Sequence, residues 1–326
     1  MPKFCRHNRL LQNCPICSRE QDVELRPIIQ SSAPRVAEPR GRTGTQRHRP
    51  ERGAAGQRLT IRRLREAVDD GYRSPLVPGL KSSEQARRLA EEIAFAALRL
   101  QALERNPPGL YGDVAAAGDV EEATWLAFLI AYISPLDGEQ DAFGAIRGAR
   151  TTWASGEIPS LDGVQTGPRT AHDPDRGTQT LEAYRGWVQR AGSQVAAFGG
   201  EPSWSPERRF ARTFERIALP GLRRDARFDL LVTLGRLGVY EVRPGALELG
   251  GTDEVTVAAK RALGIGDRLL LERRAAQLAD ACGQPVEALD LALYNWERQQ
   301  RAGAGLPLDA EPDPGVVETA RAALEA

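Results

Sequence analysis

The sequence predicts an all-α fold, and three observations lead there. Apolar residues recur at helical spacing in one segment after another, capping residues and Pro or Gly stops bracket those segments, and nothing alternates strand with helix. No Gly-rich loop is followed by Lys-Ser/Thr, which sets Rossmann and P-loop architectures aside. With 326 residues the chain can bury one large core or two modest ones.

Leu59, Ile61, Leu64 and Val68 form a short amphipathic stretch. Ser83 caps a longer helix whose stripe is Ala86, Leu89, Ile93, Ala97, Leu100 and Leu103, and which ends before Asn106-Pro107-Pro108. Asp119 is an N-cap, with Glu121 and Glu122 at the positive end of the helix dipole. The run from Trp125 to Ile133 is apolar nearly all round, so it reads as the central buried helix, stopped by Ser134-Pro135. Residues 151–178 are rich in Gly, Pro, Thr and Asp and read as a long loop. Helices follow from Thr180 to Phe198, from Ser205-Pro206-Glu207 onward, and from Arg223 to Leu237. Val239 to Val242 and Ala246 to Leu249 flank Arg243-Pro244-Gly245 and predict one small β-hairpin. The last helices run from Thr252 to Leu263, Asp267 to Ala281 and Pro285 to Gln300, and a short one follows Glu311-Pro312-Asp313-Pro314.

The 44 basic and 44 acidic side chains cancel, but unevenly along the chain. Residues 1–65 hold 15 Lys and Arg against 5 Asp and Glu, a net +10, which leaves the rest at −10. A basic arm on an acidic body reads either as a polyanion-binding tail or as a solvated linker. No apolar run reaches the roughly 20 residues of a membrane helix, and MPKFCRHNRL has no apolar signal region. The expectation is a cytoplasmic protein with no membrane partner.

Three of the four cysteines lie in the first 17 residues, where Cys5, His7, Cys14 and Cys17 spell C-x-H-x6-C-x2-C. Two ligand pairs joined by a short span suit tetrahedral Zn²⁺, and a segment too small for a core of its own needs such a staple. Four protein ligands make the expected zinc structural; the alternative is reduced thiols in a tail. The expected organisation is therefore a zinc knuckle over 1–22, an Arg/Pro/Gly-rich disordered linker over 23–57, a helical domain over 58–303, and a tail with a short helix over 304–326.

Two segments carry the candidate chemistry. Phe214 to Arg224 reads as helix, a tight turn at Leu219-Pro220-Gly221, then helix; amides at such a turn, with Arg223, Arg224 and Arg227, suit a DNA phosphate. An ordinary connection in a bundle is the alternative. Gly251 to Gly264 puts Asp253 and Lys260 seven apart, on one helix face and about two turns apart. Lys260 is one of three lysines, with Arg261 beside it; the plainer reading is an N-cap Asp and a solvated Lys-Arg pair. Trp125 and Trp296 suit either base stacking or core packing. Asp290 suits a cap or a pair with Arg298, His172 beside Asp173 and Asp175 a metal or base site or, more simply, a solvated loop, and Trp204 an anchor for its turn.

In this order the two segments resemble the helix-hairpin-helix DNA glycosylase fold. The chain is similar, more specifically, to the α-glutamyl/putrescinyl thymine pyrophosphorylase family, in its actinobacterial clade. The likeness rests on Phe4-Cys5-Arg6-His7-Asn8-Arg9 with Cys14-Pro15-Ile16-Cys17, and on the run Arg208 to Leu237. It also rests on Ala258-Ala259-Lys260-Arg261 with Gly264-Ile265-Gly266-Asp267, and on Leu289 to Trp296. It covers most of residues 83–300.

The resemblance implies a multi-helix glycosylase-like bundle acting on DNA. A pyrophosphorylated 5-hydroxymethyl group on thymine would lose pyrophosphate to an amine or amino-acid co-substrate such as putrescine or glutamate, on a base extruded from the duplex. Asp253 and Lys260 are then the expected catalytic pair, and Gly221, Arg223, Arg224, Arg227 and Arg261 the phosphate contacts. A glycosylase that excises a modified base and a non-catalytic DNA-binding module are the alternatives. The chain departs from the glycosylase pattern at three places. Arg223 replaces the hairpin's second glycine, Asp225 stands where bifunctional enzymes carry a lysine nucleophile, and the span from Gly221 to Asp253 is long. A Schiff-base lyase and an iron–sulfur cluster are accordingly not expected.

Overall fold

Six of the helices begin at a residue whose side chain accepts a backbone amide two or three positions on: Ser82, Asp119, Ser193, Ser205, Asp253 and Asp267. These caps fix where the chain turns into helix. The computed structural model describes residues 69–325. Among them lie twelve α-helices and no strand. The first six are α1 (Ser83–Arg105), α2 (Leu110–Ala116), α3 (Val120–Ile133), α4 (Gly144–Ala149), α5 (Gln179–Ala191) and α6 (Gln194–Gly199). The others are α7 (Pro206–Arg216), α8 (Arg224–Arg236), α9 (Glu254–Leu263), α10 (Arg268–Ala281), α11 (Ala288–Arg298) and α12 (Pro314–Glu325). Among the described residues no helix is long and apolar enough to cross a membrane.

Two sets of helices share the core. In one, α1 packs against α11 and α12, and α9 against α10 and α11. In the other, α3 packs against α2 and α8, with α6 at its side. Helix α1 also touches α8, and Arg99 of α1 meets Asp229 of α8 at 2.8 Å. As expected, Trp125 to Ile133 is buried throughout, with Trp125, Phe128 and Tyr132 stacked in series. The reason is compositional: a helix with no polar face has nothing to offer water.

Several expectations are corrected. The first long helix is capped by Ser82, one residue before the position expected. The helix expected over Thr180 to Phe198 is broken at Gly192, where φ is +93° and Ser193 starts a new helix. No β-hairpin forms at 239–249. Glu272 instead accepts the amides of Leu247 (2.9 Å) and Leu249, while Arg224 donates to the Leu247 carbonyl. Those backbone groups are satisfied by side chains, so no ladder is needed. The short helix expected in the tail over 304–326 does form, as α12, and this segment packs on the body: Ala304, Ala320 and Leu324 are buried. Arg99 donates to the Ala304 carbonyl at 3.1 Å, and the Tyr72 hydroxyl donates to the Leu324 carbonyl. Burying one leucine is worth about 1.5–3 kcal/mol, enough to hold a helix end in place. The zinc knuckle, the linker and the stretch from Leu59 to Val68 lie outside the described residues.

Candidate functional site

The connection between α7 and α8 is a turn locked by its neighbours. Leu222 N donates to the Leu219 carbonyl at 3.1 Å, and Leu222 is buried. Gly221 has φ +82°, and a Cβ there would sit 2.2 Å from Thr180 Oγ1, whose hydroxyl donates to the Pro220 carbonyl at 3.0 Å. Only glycine satisfies both the angle and the space. The chain leaves this turn at Arg223, an extended N-cap residue with no side-chain cap, and α8 then carries Arg224 and Asp225 inward.

Three further segments meet that turn and enclose a cleft of about 440 Å³. The start of α9 supplies Thr252, Asp253 and Glu254, α11 supplies Tyr294 and Arg298, and the long loop supplies Pro168. Asp290, Tyr294 and Arg298 are four apart along α11, so helical geometry stacks them on one face. The Tyr294 hydroxyl donates to the Pro168 carbonyl at 2.6 Å, which pins the loop against the helix. Arg298 lies 4.9 Å from the Tyr294 ring centre and pairs with both oxygens of Glu254.

The floor of the cleft, at Arg224, rests on a buried ionic cluster. Asp290 accepts from Arg169 at 2.5 Å on one oxygen and from Arg224 on the other, with all three side chains buried. Burial pushes the Asp290 carboxyl up, but Arg224 and Arg169 outweigh it and hold it below its ordinary range. Asp225, at the rim of this network, is treated differently. Its residue surface is 8% exposed, its Oδ1 is buried without a hydrogen-bond partner among the described residues, and Arg223 Nε lies 3.8 Å from it, beyond hydrogen-bonding range. Burial raises its carboxyl above the usual carboxylate range, against the pull of Arg169, Arg223 and Arg224 and with a push from Asp290. Arg169 Nε and Nη1 and Arg224 Nε are likewise buried and unpartnered.

The expected site residues divide. Arg223, Arg224 and Asp253 line the cleft together. Gly221 lines an adjoining hollow of about 500 Å³ with His172, Asp173 and Arg176, and Arg223 is the shared wall. Asp253 is an N-cap: Thr256 N donates to its Oδ1 at 3.0 Å and Thr256 Oγ1 to its Oδ2 at 2.7 Å. Lys260 is exposed at the far end of α9 and is not part of the cleft wall. Arg261 pairs with Glu297 at 3.2 Å and lies over Trp296; Arg227 lies over Phe214 and donates to its carbonyl at 3.0 Å. These two arginines tie helices together rather than lining the cleft. Trp125 and Trp296 are core residues, and Asp290 pairs with Arg169 and Arg224, not with Arg298.

Asp225, Glu254, Tyr294 and Arg298 belong to the cleft and were not expected there as site residues. One signal was available: Asp290 is an acidic residue inside the otherwise apolar run Ala288 to Leu293, and Tyr294 and Arg298 share its face. Arg169 carried none, because a loop arginine has no periodicity to betray burial. Among the described residues no group of three or more His, Cys, Asp or Glu is arranged to hold a metal ion. The wall carries three arginines and three carboxylates, so the cleft is balanced in charge and offers both donors and acceptors. Comparison with family models, curated proteins and solved structures finds no match for this chain.

Proposed function

We propose that the chain is a DNA base-modifying enzyme that replaces pyrophosphate on an activated 5-hydroxymethyl pyrimidine with an amine. The observation that carries the reading is convergence. The turn residue Arg223, the N-terminus of α9 and the Tyr294–Arg298 face of α11 line one cleft, whose volume lies within the roughly 300–1,000 Å³ usual for ligand sites. An everted pyrimidine would enter beside Tyr294, with the strand's backbone running past Arg223 and Gly221 at the wall shared with the second hollow. The arginines would stabilise charge gathering on the departing pyrophosphate, and a carboxylate of the wall would handle the amine's proton.

The resemblance to the α-glutamyl/putrescinyl thymine pyrophosphorylase family supports the choice of reaction. In the same reading Cys5, His7, Cys14 and Cys17 hold a structural Zn²⁺ and the basic arm adds salt-sensitive affinity for DNA, in the cytoplasm. Protein purified without chelator then carries one zinc per chain, and loses it when Cys14 and Cys17 are replaced by serine.

The test is a product analysis. DNA bearing pyrophosphorylated 5-hydroxymethyluracil is incubated with the protein and putrescine or glutamate, then digested, and the nucleosides are weighed by mass spectrometry. A nucleoside heavier by the amine and lighter by pyrophosphate is expected. Free base would instead identify a glycosylase, and salt-sensitive binding without product a DNA-binding module.

A further inference from the structure

Of the carboxylates at the cleft, one is left without a hydrogen-bonding partner among the described residues. Asp290 has a guanidinium on each oxygen, Asp253 gives both oxygens to Thr256, and Glu254 gives both to Arg298. Asp225 lines the same cleft, its side chain is buried but for about a tenth of its surface, and its Oδ1 has no donor within hydrogen-bonding range among the described residues. A buried carboxylate oxygen without a donor is costly, and an alanine here would avoid the cost. The carboxylate sits in the first turn of α8, where the helix dipole tolerates negative charge, so a ligand meeting it must bring protons rather than another anion.

We propose that Asp225, and not Asp253, is the carboxylate that receives the primary ammonium group of the amine co-substrate and takes its proton. This assignment rests on the transferase reading above. The ammonium donates to the Asp225 carboxylate where it faces the cleft and gives one proton to it. The neutral amine nitrogen then forms its bond to the C5 methylene carbon, and the carbon–oxygen bond to pyrophosphate breaks with its electron pair leaving on the pyrophosphate. The product is a secondary ammonium, and Asp225 returns its proton to solvent. Desolvation favours the proton transfer, since it weakens the charged form of the carboxylate as well as that of the ammonium. Arg223, 3.8 Å from the same oxygen and largely exposed, is placed to meet a carboxylate on the co-substrate when the amine is an amino acid.

The test separates this assignment from the reaction itself. Putrescine alone is titrated calorimetrically into the full-length wild-type chain and into Asp225→Asn, Asp225→Glu and Asp253→Asn, and each protein is then given the modified DNA. Saturable putrescine binding is expected in the wild type. Asp225→Asn should weaken it about tenfold or more, the effect of losing one charge-assisted hydrogen bond. Asp225→Glu keeps the carboxylate and should bind within about tenfold of the wild type, and Asp253→Asn, which removes a charge of the same wall whose oxygens are already taken by Thr256, should weaken binding less than Asp225→Asn does. Absence of binding to the wild type, or equal binding by folded Asp225→Asn, overturns the assignment. So does weakened binding in Asp253→Asn with Asp225→Asn unaffected. If putrescine binds through Asp225 but no modified nucleoside forms, the amine site stands and the reaction proposed above fails.

Discussion

The floor of the cleft and its wall are built from the same kinds of residue and are finished differently. On the floor, Arg169, Asp290 and Arg224 close on one another, and Arg224 has a spare donor for the Leu247 carbonyl. On the wall stand the two chain neighbours of Arg224. Arg223 is exposed without a cap to make, and Asp225 is buried without a donor on Oδ1. The lesson is one of division of labour. The ion pairs of the floor, where both Asp290 oxygens are taken, fix α8, α11 and the long loop relative to one another, and the wall carboxylate without a donor is left for something the protein binds.

Substitutions probe this contrast in order of size. Asp290→Ala takes away the carboxylate that both buried guanidiniums bond and should cost about 3–5 kcal/mol in a denaturant titration. A loss below about 1 kcal/mol would show that the floor is not the anchor described. Gly221→Ala forces a positive φ on alanine and drives Cβ toward Thr180; about 1–3 kcal/mol is expected, with DNA affinity falling in parallel. Asp253→Ala removes a helix cap and should cost about 1 kcal/mol, whereas Asp253→Asn, itself a good cap, should cost a few tenths. A wall aspartate that changed activity strongly as Asn while leaving stability intact would reopen its catalytic role.

Asp225→Asn has the opposite sign. Burial raises the folded-state carboxyl of Asp225 above its unfolded value, so the native state is penalised while this group is ionised, and the penalty fades as pH falls through the raised value. The variant should therefore melt higher than the wild type near neutral pH, with the gap closing in acid. Asp290 runs the other way: its lowered carboxyl contributes stability above the unfolded value, lost as pH falls through the folded one. Lys260→Ala, at an exposed position away from the cleft, should change stability by less than about 0.5 kcal/mol and leave product formation unchanged.

Most of the helical frame was legible in the sequence because its signals are local. Asp119, Ser205 and Asp267 announce helix starts within four residues, and an uninterrupted apolar run such as Trp125 to Ile133 has nowhere to go but the core. The hairpin expected at 239–249 failed for a reason no local pattern contains. Its backbone is held by Glu272 and Arg224, from two different helices. The site shows the same limit. Seven-residue spacing puts Asp253 and Lys260 on one face of α9, but the cleft meets only the first turn of that helix. Arg169 and Asp225 become significant only once folding brings Asp290 between Arg169 and Arg224, contacts that span 121 and 66 positions of chain.

The central claim is that a pyrimidine base enters the cleft between the α7–α8 turn, the start of α9 and Tyr294. Photo-crosslinking tests it most directly, with DNA carrying one 5-iodouracil at the target position and the adduct mapped by peptide mass spectrometry. The account predicts a crosslink in the peptide containing Tyr294, reduced by Tyr294→Phe and abolished by Tyr294→Ala. Crosslinks confined to peptides remote from that cleft, such as those around Asp141 or Leu308, would contradict it.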